Sequence, residues 1–364
     1  MEYKDQKQSW YSLLFEEKKE VIRKRKRDAY AQKKAIEGQI VDEEYRREKT
    51  RSGIEIEKDK TSSGAQKHAY KQEKIKLIKN MRAKFDLLFN QLLLQIGNGT
   101  EETDADEKIK LPAMMTILYE DDETSLNTLL NLVFPNIHNY SNNVNFMINR
   151  AILTPTNDYV DEINNLLIHK FPGHTVKYYS FDETLDKIEQ GFQEHFLNTL
   201  TPNGLPPHEL VLKPGCQIML IRNISPSEGL CNGNRQICNR FESNIIDAEI
   251  ATGHYRGKRV FLPRIPFFPF ENDKHPFPFK RTQFPIRLSF AMTINKSQCQ
   301  TLDYVGIYLP QPVFSHGQLY VALSRAKNAN SIKVLIRPTN VENSNDRSTK
   351  NIVYKELLTL STSS

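Results

Sequence analysis

Residues 284–327 read FPIRLSFAMTINKSQCQTLDYVGIYLPQPVFSHGQLYVALSRAK, and this stretch decides the fold. Its first apolar residues alternate with polar ones, which predicts a strand: they are Ile286, Leu288 and Phe290. A polar string follows from 293 to 298, and Tyr304–Leu309 is apolar again and predicts the next strand. Two strands joined by a polar loop favour an open α/β sheet, in which ligands bind at the carboxyl ends of the strands.

A short helix is predicted at the end of the same stretch. Residues 316–327 carry apolar side chains at helical spacing and then a Ser-Arg pair: Leu319, Tyr320, Leu323, Ser324 and Arg325. A guanidinium group is a planar fork of N–H donors that matches phosphate oxygens. The layout therefore predicts a loop that contacts a ligand and an arginine that contacts a phosphate group.

Composition narrows the class of protein. The 364 residues leave room for two domains, but 38% hydrophobic residues and a mean hydropathy of -0.57 are low for a fully packed chain of this length. We therefore expect part of the chain to be extended or disordered. The net charge of +6 comes with Lys and Arg concentrated in 201–300 and 316–340, which fits either a phosphate-rich partner or simple solubility.

The cysteines and the apolar runs predict the compartment. The four cysteines form no C-x-x-C pair and have no histidine at zinc-ligand spacing, so we expect reduced thiols and no metal site: Cys216, Cys231, Cys238 and Cys299. No apolar run approaches the ~20 residues that span a bilayer, and the first residues lack the apolar core of a signal peptide. These features predict a soluble intracellular chain without a membrane partner.

The amino-terminal part, residues 1–64, is predicted to be a basic, largely helical or disordered extension that ends in a linker. Its centre is the run from Arg23 to Arg27. Such a run is typical of a solvated helix face, of a nuclear import signal or of a segment that contacts nucleic-acid backbone, and the sequence leaves these alternatives open. A nuclear location is the expectation that this run supports.

Residues 65–175 predict the first part of the α/β domain. A helical stripe of apolar residues ends at Gly97 and Gly99. Further on, Arg150 to Thr156 predicts a buried strand, and Asp158 is positioned to cap the helix that follows it. Repeated units of strand, polar turn and helix predict a parallel sheet.

Residues 176–283 break this pattern and predict an inserted β-barrel region. Four β-rich runs are separated by Pro, Gly and Asn turns, as in a small antiparallel barrel. Several phenylalanines near its end either stack on bases or fill the barrel interior: Phe267, Phe268, Phe270, Phe277 and Phe279. Residues 284–340 then complete the α/β domain, and 341–364 form a polar tail.

Five separated signatures between Lys71 and Arg337 resemble the Pif-type DNA helicases of superfamily 1B, in particular the helicase domain of Helitron transposons. LIKNMRA is similar to motif IV of that family, AMTINKSQCQTLD to motif V and YVALSRAK to motif VI. ILTPTNDYVDEIN is similar to a sheet strand with its helix, and PGCQIMLIRNISPSEGLCNGNRQI to the start of an SH3-like insertion. The resemblance implies an α/β fold: a RecA-like second helicase domain with an inserted small SH3-like β-barrel, preceded by the basic helical segment.

The resemblance also implies roles for particular residues. Arg82 and Arg325 would face the γ-phosphate of ATP, where guanidinium groups stabilise the charge on the transferring phosphoryl group. Gln298 and Asn80 would sense the nucleotide. Single-stranded DNA would be the partner, held without regard to sequence by Thr293, Asn295, Lys296, Ser297, Thr301, Thr156 and Asn157. The alternative for residues 293–301 is an ordinary strand-to-helix turn.

Two departures from the family pattern affect the expected function. Cys299 stands where the family has glycine, and a side chain there would hinder a positive φ or a close approach of DNA. The sequence also contains no G-x-x-x-x-G-K-[ST] loop, and no strand ending in Asp-Glu precedes Arg82. ATP and Mg²⁺ are implied by the family, but the residues that bind them are absent from this sequence. A separate chain would then supply the first RecA-like domain.

These expectations leave three functions open. The chain is the second motor domain of an ATP-dependent 5′-to-3′ DNA helicase that is inactive by itself, or a truncated transposon-derived DNA-binding module without ATPase activity, or a product with no selected role. ATP turnover and DNA affinity distinguish them.

Overall fold

The computed structural model describes residues 80–142, 144–185, 194–202, 204–269, 278–298, 300–338 and 346–356. The chain divides into two units, Met1–Gln72 and Glu73–Ser364, and every described residue belongs to the second unit. The predicted basic extension and linker, the run from Arg23 to Arg27, and the residues Phe270, Phe277 and Cys299 lie outside the described residues.

The described helices are α1 Leu87–Asn98, α2 Asp122–Val133, α3 Val144–Ile148, α4 Asn157–Lys170, α5 Glu194–Thr199 and α6 Gln318–Leu323. The described strands are β1 Lys108–Lys110, β2 Thr116–Ile117, β3 Arg150–Thr154, β4 Val176–Tyr179, β5 Phe181–Thr184, β6 Glu209–Leu212, β7 Gln217–Leu220, β8 Arg235–Phe241, β9 Ile245–Ile250, β10 Arg259–Pro263, β11 Ile265–Phe267, β12 Phe279–Gln283, β13 Ile286–Leu288, β14 Ala291–Thr293, β15 Tyr304–Leu309, β16 Ile332–Ile336 and β17 Ser348–Lys350.

A five-stranded parallel sheet forms the centre of the α/β part, in the order β14-β3-β15-β16-β2. Successive side chains of a strand point to opposite faces, and β3 buries both. Ile152 packs with α2 and α4 on one face, whereas Ala151 and Leu153 pack with α1 and α6 on the other. The predicted strand Tyr304–Leu309 and the predicted parallel sheet are therefore confirmed.

Local signals explain where the helices begin and end. The Asp86 carboxylate accepts a hydrogen bond from the backbone N–H of Phe89 at 3.0 Å, so α1 starts with a side-chain cap. The same helix stops at Gly99, whose φ of 63° is the left-handed conformation that glycine adopts without strain. Helix α4 begins at Asn157, directly after Thr156, so Asp158 lies in its first turn and the prediction that Asp158 caps it is wrong.

Helix α2 lies so close to the central sheet that β15 needs a glycine beneath it. A Cβ atom added to Gly306 would lie 2.6 Å from Val133 Cγ2 and 3.1 Å from Leu129 Cδ1. Both neighbours are fully buried and have no free space to move into. The glycine in YVGIYL therefore sets the distance between this helix and the sheet.

The inserted region contains a five-stranded antiparallel sheet in the order β10-β9-β8-β7-β13. A second sheet, β11-β12-β5, has three antiparallel strands. Phe267 and Phe279 are each 1% exposed in the cluster that fills this region, so they serve as interior residues, whereas Phe268 is 51% exposed. Buried Arg281 forms an ion pair with buried Asp182 at 2.7 Å in the three-stranded sheet.

The strand predicted from Ile286 to Phe290 is in fact two strands in different sheets. β13 pairs with β7 of the antiparallel sheet, and β14 pairs with β3 of the parallel sheet. Buried Asn164 holds the change of direction: its amide donates to Leu288 O and Ala291 O, and its side-chain oxygen accepts from Ala291 N at 2.9 Å. The antiparallel sheet thus extends to Leu288, beyond the boundary predicted at 283.

Arg235 joins the two large sheets. It is 2% exposed, and its guanidinium donates to the backbone oxygens of Ile148 and Arg150, which flank the start of β3, and to Ser289 O between β13 and β14. Burial lowers the pKa of Arg235 to about 10, which still leaves it cationic near neutral pH. One side chain of the inserted sheet therefore ties it to the parallel sheet.

Candidate nucleic-acid and nucleotide site

One group of the predicted site residues lies at the carboxyl edge of the parallel sheet. Thr154 at the end of β3 stands opposite Thr293 at the end of β14, so the segments after both strands leave the sheet at the same edge. Asn157 is exposed there, and so are Asn295 and Lys296. This edge therefore brings together amide and ammonium donors from two segments that are far apart in the sequence.

The segment after β14 forms a tight turn. Ile294–Ser297 is a 3₁₀ helix in which the Ser297 hydroxyl donates to Ile294 O at 2.6 Å. Ser297 is 0% exposed, so its side chain lies inside the loop, unlike its neighbours Lys296 and Gln298, which are exposed. The prediction that Ser297 contacts DNA thus has no exposed hydroxyl to support it.

The other group lies at the amino edge of the same sheet. Asp303, directly before β15, donates its backbone N–H to the carbonyl of Asn149, directly before β3, at 2.7 Å. Leu302 donates its backbone N–H to Arg325 O at 3.0 Å. The 294–301 segment, which we call the crossing loop, therefore runs from the carboxyl edge at Thr293 to the amino edge at Thr301.

Arg325 is buried against the crossing loop. It is 6% exposed, and its guanidinium donates to Ser297 O at 3.2 Å, to Gln300 O at 3.3 Å, to Val321 O at 2.8 Å and to the Ser324 hydroxyl at 2.8 Å. Two of these acceptors are carbonyls of the crossing loop. In this structure Arg325 therefore holds the loop to the end of α6.

Arg82 contacts the same loop at Thr301, through one nitrogen of its guanidinium. Its Nε donates to the Thr301 hydroxyl at 2.9 Å, and its backbone N–H donates to the Asn80 side-chain oxygen at 3.0 Å. Its two terminal nitrogens have no hydrogen-bond partner within the described parts of the chain. They are available to an anion outside the chain.

Asn80 links Arg82 to helix α6. It is 7% exposed, and its amide nitrogen lies 3.5 Å from the Tyr320 hydroxyl, while its carbonyl accepts from the Asn90 amide at 3.2 Å. Tyr320 also packs against Gly97, where an added Cβ would lie 3.1 Å from the ring. The resemblance implies a nucleotide-sensing role for Asn80, which stays a prediction; in this structure the Asn80 side-chain oxygen holds the Arg82 backbone N–H.

Two residues that sequence reasoning missed lie beside Lys296. Arg287 on β13 donates to both carboxylate oxygens of Asp161 on α4 at 3.2 Å. The pKa of Lys296 is lowered, mainly because burial removes hydration and secondly because of the charge of Arg287. The carboxylate of Asp161 acts in the opposite direction and raises it. The Asp161 side chain is 51% exposed, yet the protein around the rest of it raises its pKa, against the effects of Arg287 and Lys296.

The signal for this cluster was present but weak. Arg287 occupies the polar position of an alternating strand, and Asp161 lies one helical turn after Asn157. Neither spacing says that the strand and the helix meet, because that contact depends on the route of the inserted region. Only the folded chain brings the two residues to Lys296.

A cleft of about 490 Å³ opens at the amino edge beside the crossing loop. It is lined by Asn149, Gln300 and Thr301 from the α/β part and by Arg235 and Arg256 from the inserted sheet. Within the described ranges, no group of three His, Cys, Asp or Glu side chains is arranged to hold a metal ion. No described helix is both long and apolar enough to cross a membrane.

Comparison with known proteins finds similar sequences. The family model of the DNA helicase Pif1 2B domain matches residues 195–241. The ATP-dependent DNA helicase PIF1 of Xenopus laevis is 31% identical over 178 residues, which are 49% of this chain and 26% of that protein. The human enzyme of the same name is 39% identical over 141 residues, 35% of this chain and 19% of that protein.

Solved structures of the same name resemble the chain more distantly. The Pif1 helicase of Candida albicans has a TM-score of 0.49 and 22% identity and covers 77% of this chain and 58% of its own. The Bacteroides Pif1 helicase in complex with ADP-AlF3 and single-stranded DNA has a TM-score of 0.45 and 20% identity, covering 75% and 53%. Because both TM-scores are below 0.5, the similarity to Pif1 helicases rests on the sequence relatives.

The matched relatives are ATP-dependent DNA helicases. In the stretches that match, the chain is similar to Pif1-type helicases. The chain spans about a quarter or less of the length of the first curated relatives that it matches.

Proposed function

We propose that this chain supplies the second RecA-like motor domain of an ATP-dependent helicase of the Pif and Helitron type, which moves 5′ to 3′ on single-stranded DNA. The observation that carries the proposal is the crossing loop. It starts at the carboxyl edge with exposed Asn295 and Lys296 and ends at the amino edge beside Arg82. A loop that reaches both edges can contact a DNA strand at one and a nucleotide at the other.

The strand lies along the carboxyl edge in this proposal. Asn157, Asn295 and Lys296 supply exposed amide and ammonium donors, and half-buried Thr156 and Thr293 supply hydroxyls. Such donors bind phosphate oxygens without reading the bases. Thr301 lies at the other edge and already accepts a hydrogen bond from Arg82, so we assign it to the nucleotide side.

Arg82 is the arginine that reaches the nucleotide first. Its terminal nitrogens are uncommitted among the described residues, and a bidentate guanidinium stabilises the charge that spreads over the phosphoryl oxygens during transfer. Arg325 would have to exchange the carbonyls of Ser297 and Gln300 for phosphate oxygens. We therefore assign two successive roles to Arg325. It first holds the crossing loop, and it then becomes the second arginine that donates to the phosphate.

ATP with Mg²⁺ supplies the phosphoryl group when it is bound. Among the described residues, Arg82 can contact the phosphates of ATP from one side. The sequence offers no glycine-rich loop that would hold the phosphates from the other side. The cradle and the metal ligands then come from another domain, in a longer form of this protein or in a separate chain. The nuclear location that Arg23 to Arg27 suggests stays a prediction.

Salt titration of single-stranded DNA affinity tests the DNA side. We expect the logarithm of the affinity to fall linearly with the logarithm of the salt concentration, and Lys296→Ala to reduce the slope by about one. Lys177→Ala is the matched control, because Lys177 lies on a separate two-stranded sheet and pairs with Glu209. A flat salt response, or a slope that Lys296→Ala leaves unchanged, contradicts backbone contact by the crossing loop.

ATP turnover tests the nucleotide side. We expect none from these 364 residues alone, with or without DNA, and turnover after a Pif1-type nucleotide-binding domain is added. Arg82→Ala should abolish the restored turnover. Turnover by the chain alone contradicts the division of the site, and DNA binding that no added domain converts into turnover favours the truncated binding module.

A further inference from the structure

A groove of about 520 Å³ lies on the face of the parallel sheet that α2 and α4 cover. Tyr308 near the end of β15 lies at its floor, and Arg337 follows β16 at its rim, so the groove opens at the carboxyl edge. The chain leaves β3 through α4 toward β14 and leaves β15 through α6 toward β16, in opposite directions. Open α/β sheets bind ligands at such a switch point.

Two tyrosines give the groove an aromatic wall and floor. Tyr159 and Tyr308 meet edge to face, with ring centroids 5.8 Å apart and planes at 83°. Tyr308 is 6% exposed, whereas Tyr159 is half-buried and lines the open part. Rings in this position bind flat aromatic ligands by stacking or edge contacts.

The charges of the groove select against phosphate. Its two cations are already engaged, because Arg337 pairs with Asp122 and Lys170 donates to the Asn127 side-chain oxygen at 2.7 Å. Glu162 and Glu123 also line the groove and are exposed; among the described residues neither side-chain carboxylate has a hydrogen-bond or ion-pair partner. The Asp122 and Arg337 charges cancel, and the two glutamates outweigh Lys170, whose partner is a neutral amide. The net charge of the lining is therefore negative, which repels a phosphate group but accepts N–H donors.

The tyrosine at the floor adds no negative charge. Burial, then Asp122 and Glu162, raise the pKa of Tyr308 to about 12, so its phenol stays neutral at working pH. A ligand that fits all these features is flat, uncharged and rich in N–H donors. Adenine, cytosine and guanine have this chemistry through their exocyclic amino groups, and thymine lacks such a group.

We propose that this groove receives one amino-bearing base, that is adenine, cytosine or guanine rather than thymine, of the single strand whose phosphates lie along the carboxyl edge. Asn157 and Tyr159 both lie in the first turn of α4, at the carboxyl edge, so a strand held at Asn157 lies within one helical turn of the groove. The inference rests on the proposed function for the strand's position. It adds a base preference at one position of a strand that is otherwise held through its backbone.

Fluorescence anisotropy with a labelled oligo-dT strand tests the groove. A single dA, dC or dG is placed at each position in turn, and affinity is compared with the unsubstituted strand. We expect one position at which the substituted strand binds about fivefold more tightly, the value of one hydrogen bond. Glu162→Gln and Tyr159→Leu should remove the preference, and Glu249→Gln, an exposed glutamate on β9, should retain it.

Equal affinity at every position, or a preference that survives in Glu162→Gln, overturns the base groove while leaving the proposed DNA binding intact. If the chain binds no single-stranded DNA, the proposed function fails, and the groove is decided separately. Saturation-transfer NMR with free 2′-deoxyadenosine then supports the groove if Glu162→Gln removes the signal, and overturns it if there is no signal or if the signal persists.

Discussion

Arg82 precedes α1, Arg325 follows α6, and both donate to the crossing loop, but to different kinds of acceptor. Arg325 is 6% exposed and donates to the backbone carbonyls of Ser297 and Gln300. Arg82 gives the loop one hydrogen bond, to the Thr301 side chain. Arg325 is thus part of the folded core of the site, whereas Arg82 keeps donors for a ligand. Assigning both arginines only as phosphate contacts would conceal this difference in function.

The largest effect is expected from Arg325→Ala. It leaves buried carbonyls of Ser297 and Gln300 without their donor and should lower the free energy of unfolding by about 3 kcal/mol. Urea denaturation followed by circular dichroism measures it. Arg325→Lys keeps the positive charge but cannot reproduce the planar guanidinium fork. Its free energy of unfolding should therefore lie between those of the wild type and Arg325→Ala. An unchanged urea midpoint in Arg325→Ala would mean that the carbonyl contacts do not hold the loop.

A smaller effect is expected from Asn80→Ala. The Arg82 backbone N–H loses its acceptor and the hydrogen bond to Tyr320 is lost, which should cost about 1.5 kcal/mol of unfolding free energy. Tyr320→Phe is the matched control, since it removes only the 3.5 Å contact. If both variants lower stability equally, Asn80 does not act through Arg82.

Arg82→Ala should change stability least of the three, by about 0.5 kcal/mol, because a partly exposed side chain with one hydrogen bond contributes little. The same urea experiment measures it beside Arg325→Ala. A loss as large as that of Arg325→Ala would erase the distinction between the two arginines.

The smallest effect concerns the pH dependence of DNA binding. The pKa of Lys296 is lowered, so its ammonium loses its proton at a less alkaline pH than an ordinary lysine. The binding it contributes is present below that pKa and is lost as pH rises through it. Anisotropy titrations at alkaline pH should show this decline in the wild type and not in Lys296→Arg, whose guanidinium stays charged. Equal decline in both would exclude Lys296.

The sequence predicted the elements better than their partners. The alternation in Ile286, Leu288 and Phe290 correctly indicates extended chain, but alternation is the same in either sheet. The transfer from β7 to β3 as partner depends on Asn164, which lies over a hundred residues earlier. The apolar helical spacing around Leu319 likewise does not predict which carbonyls accept hydrogen bonds from the Arg325 guanidinium.

The exposed members of the site were more predictable than the buried ones. The sequence pattern predicts Asn295, Lys296 and Gln298 as polar residues of a loop, and they are exposed. It predicts Ser297 in the same way, but that side chain is 0% exposed, because its hydroxyl closes the 3₁₀ turn on Ile294 O. A polar residue type shows that a hydrogen bond is needed and leaves open whether the partner is a ligand or the chain itself.

Arg235 has a consequence for how this protein can be divided. Three of its acceptors lie at Ile148, Arg150 and Ser289, outside the antiparallel strand that carries it, and the fourth is the Gln217 side chain on β7 of the same sheet. Cutting out the inserted sheet as an independent module would remove the backbone acceptors of this buried cation. Grafting the sheet onto another protein would require matching carbonyls at the start of a β-strand. The two sheets should therefore be inherited, expressed and exchanged as one piece.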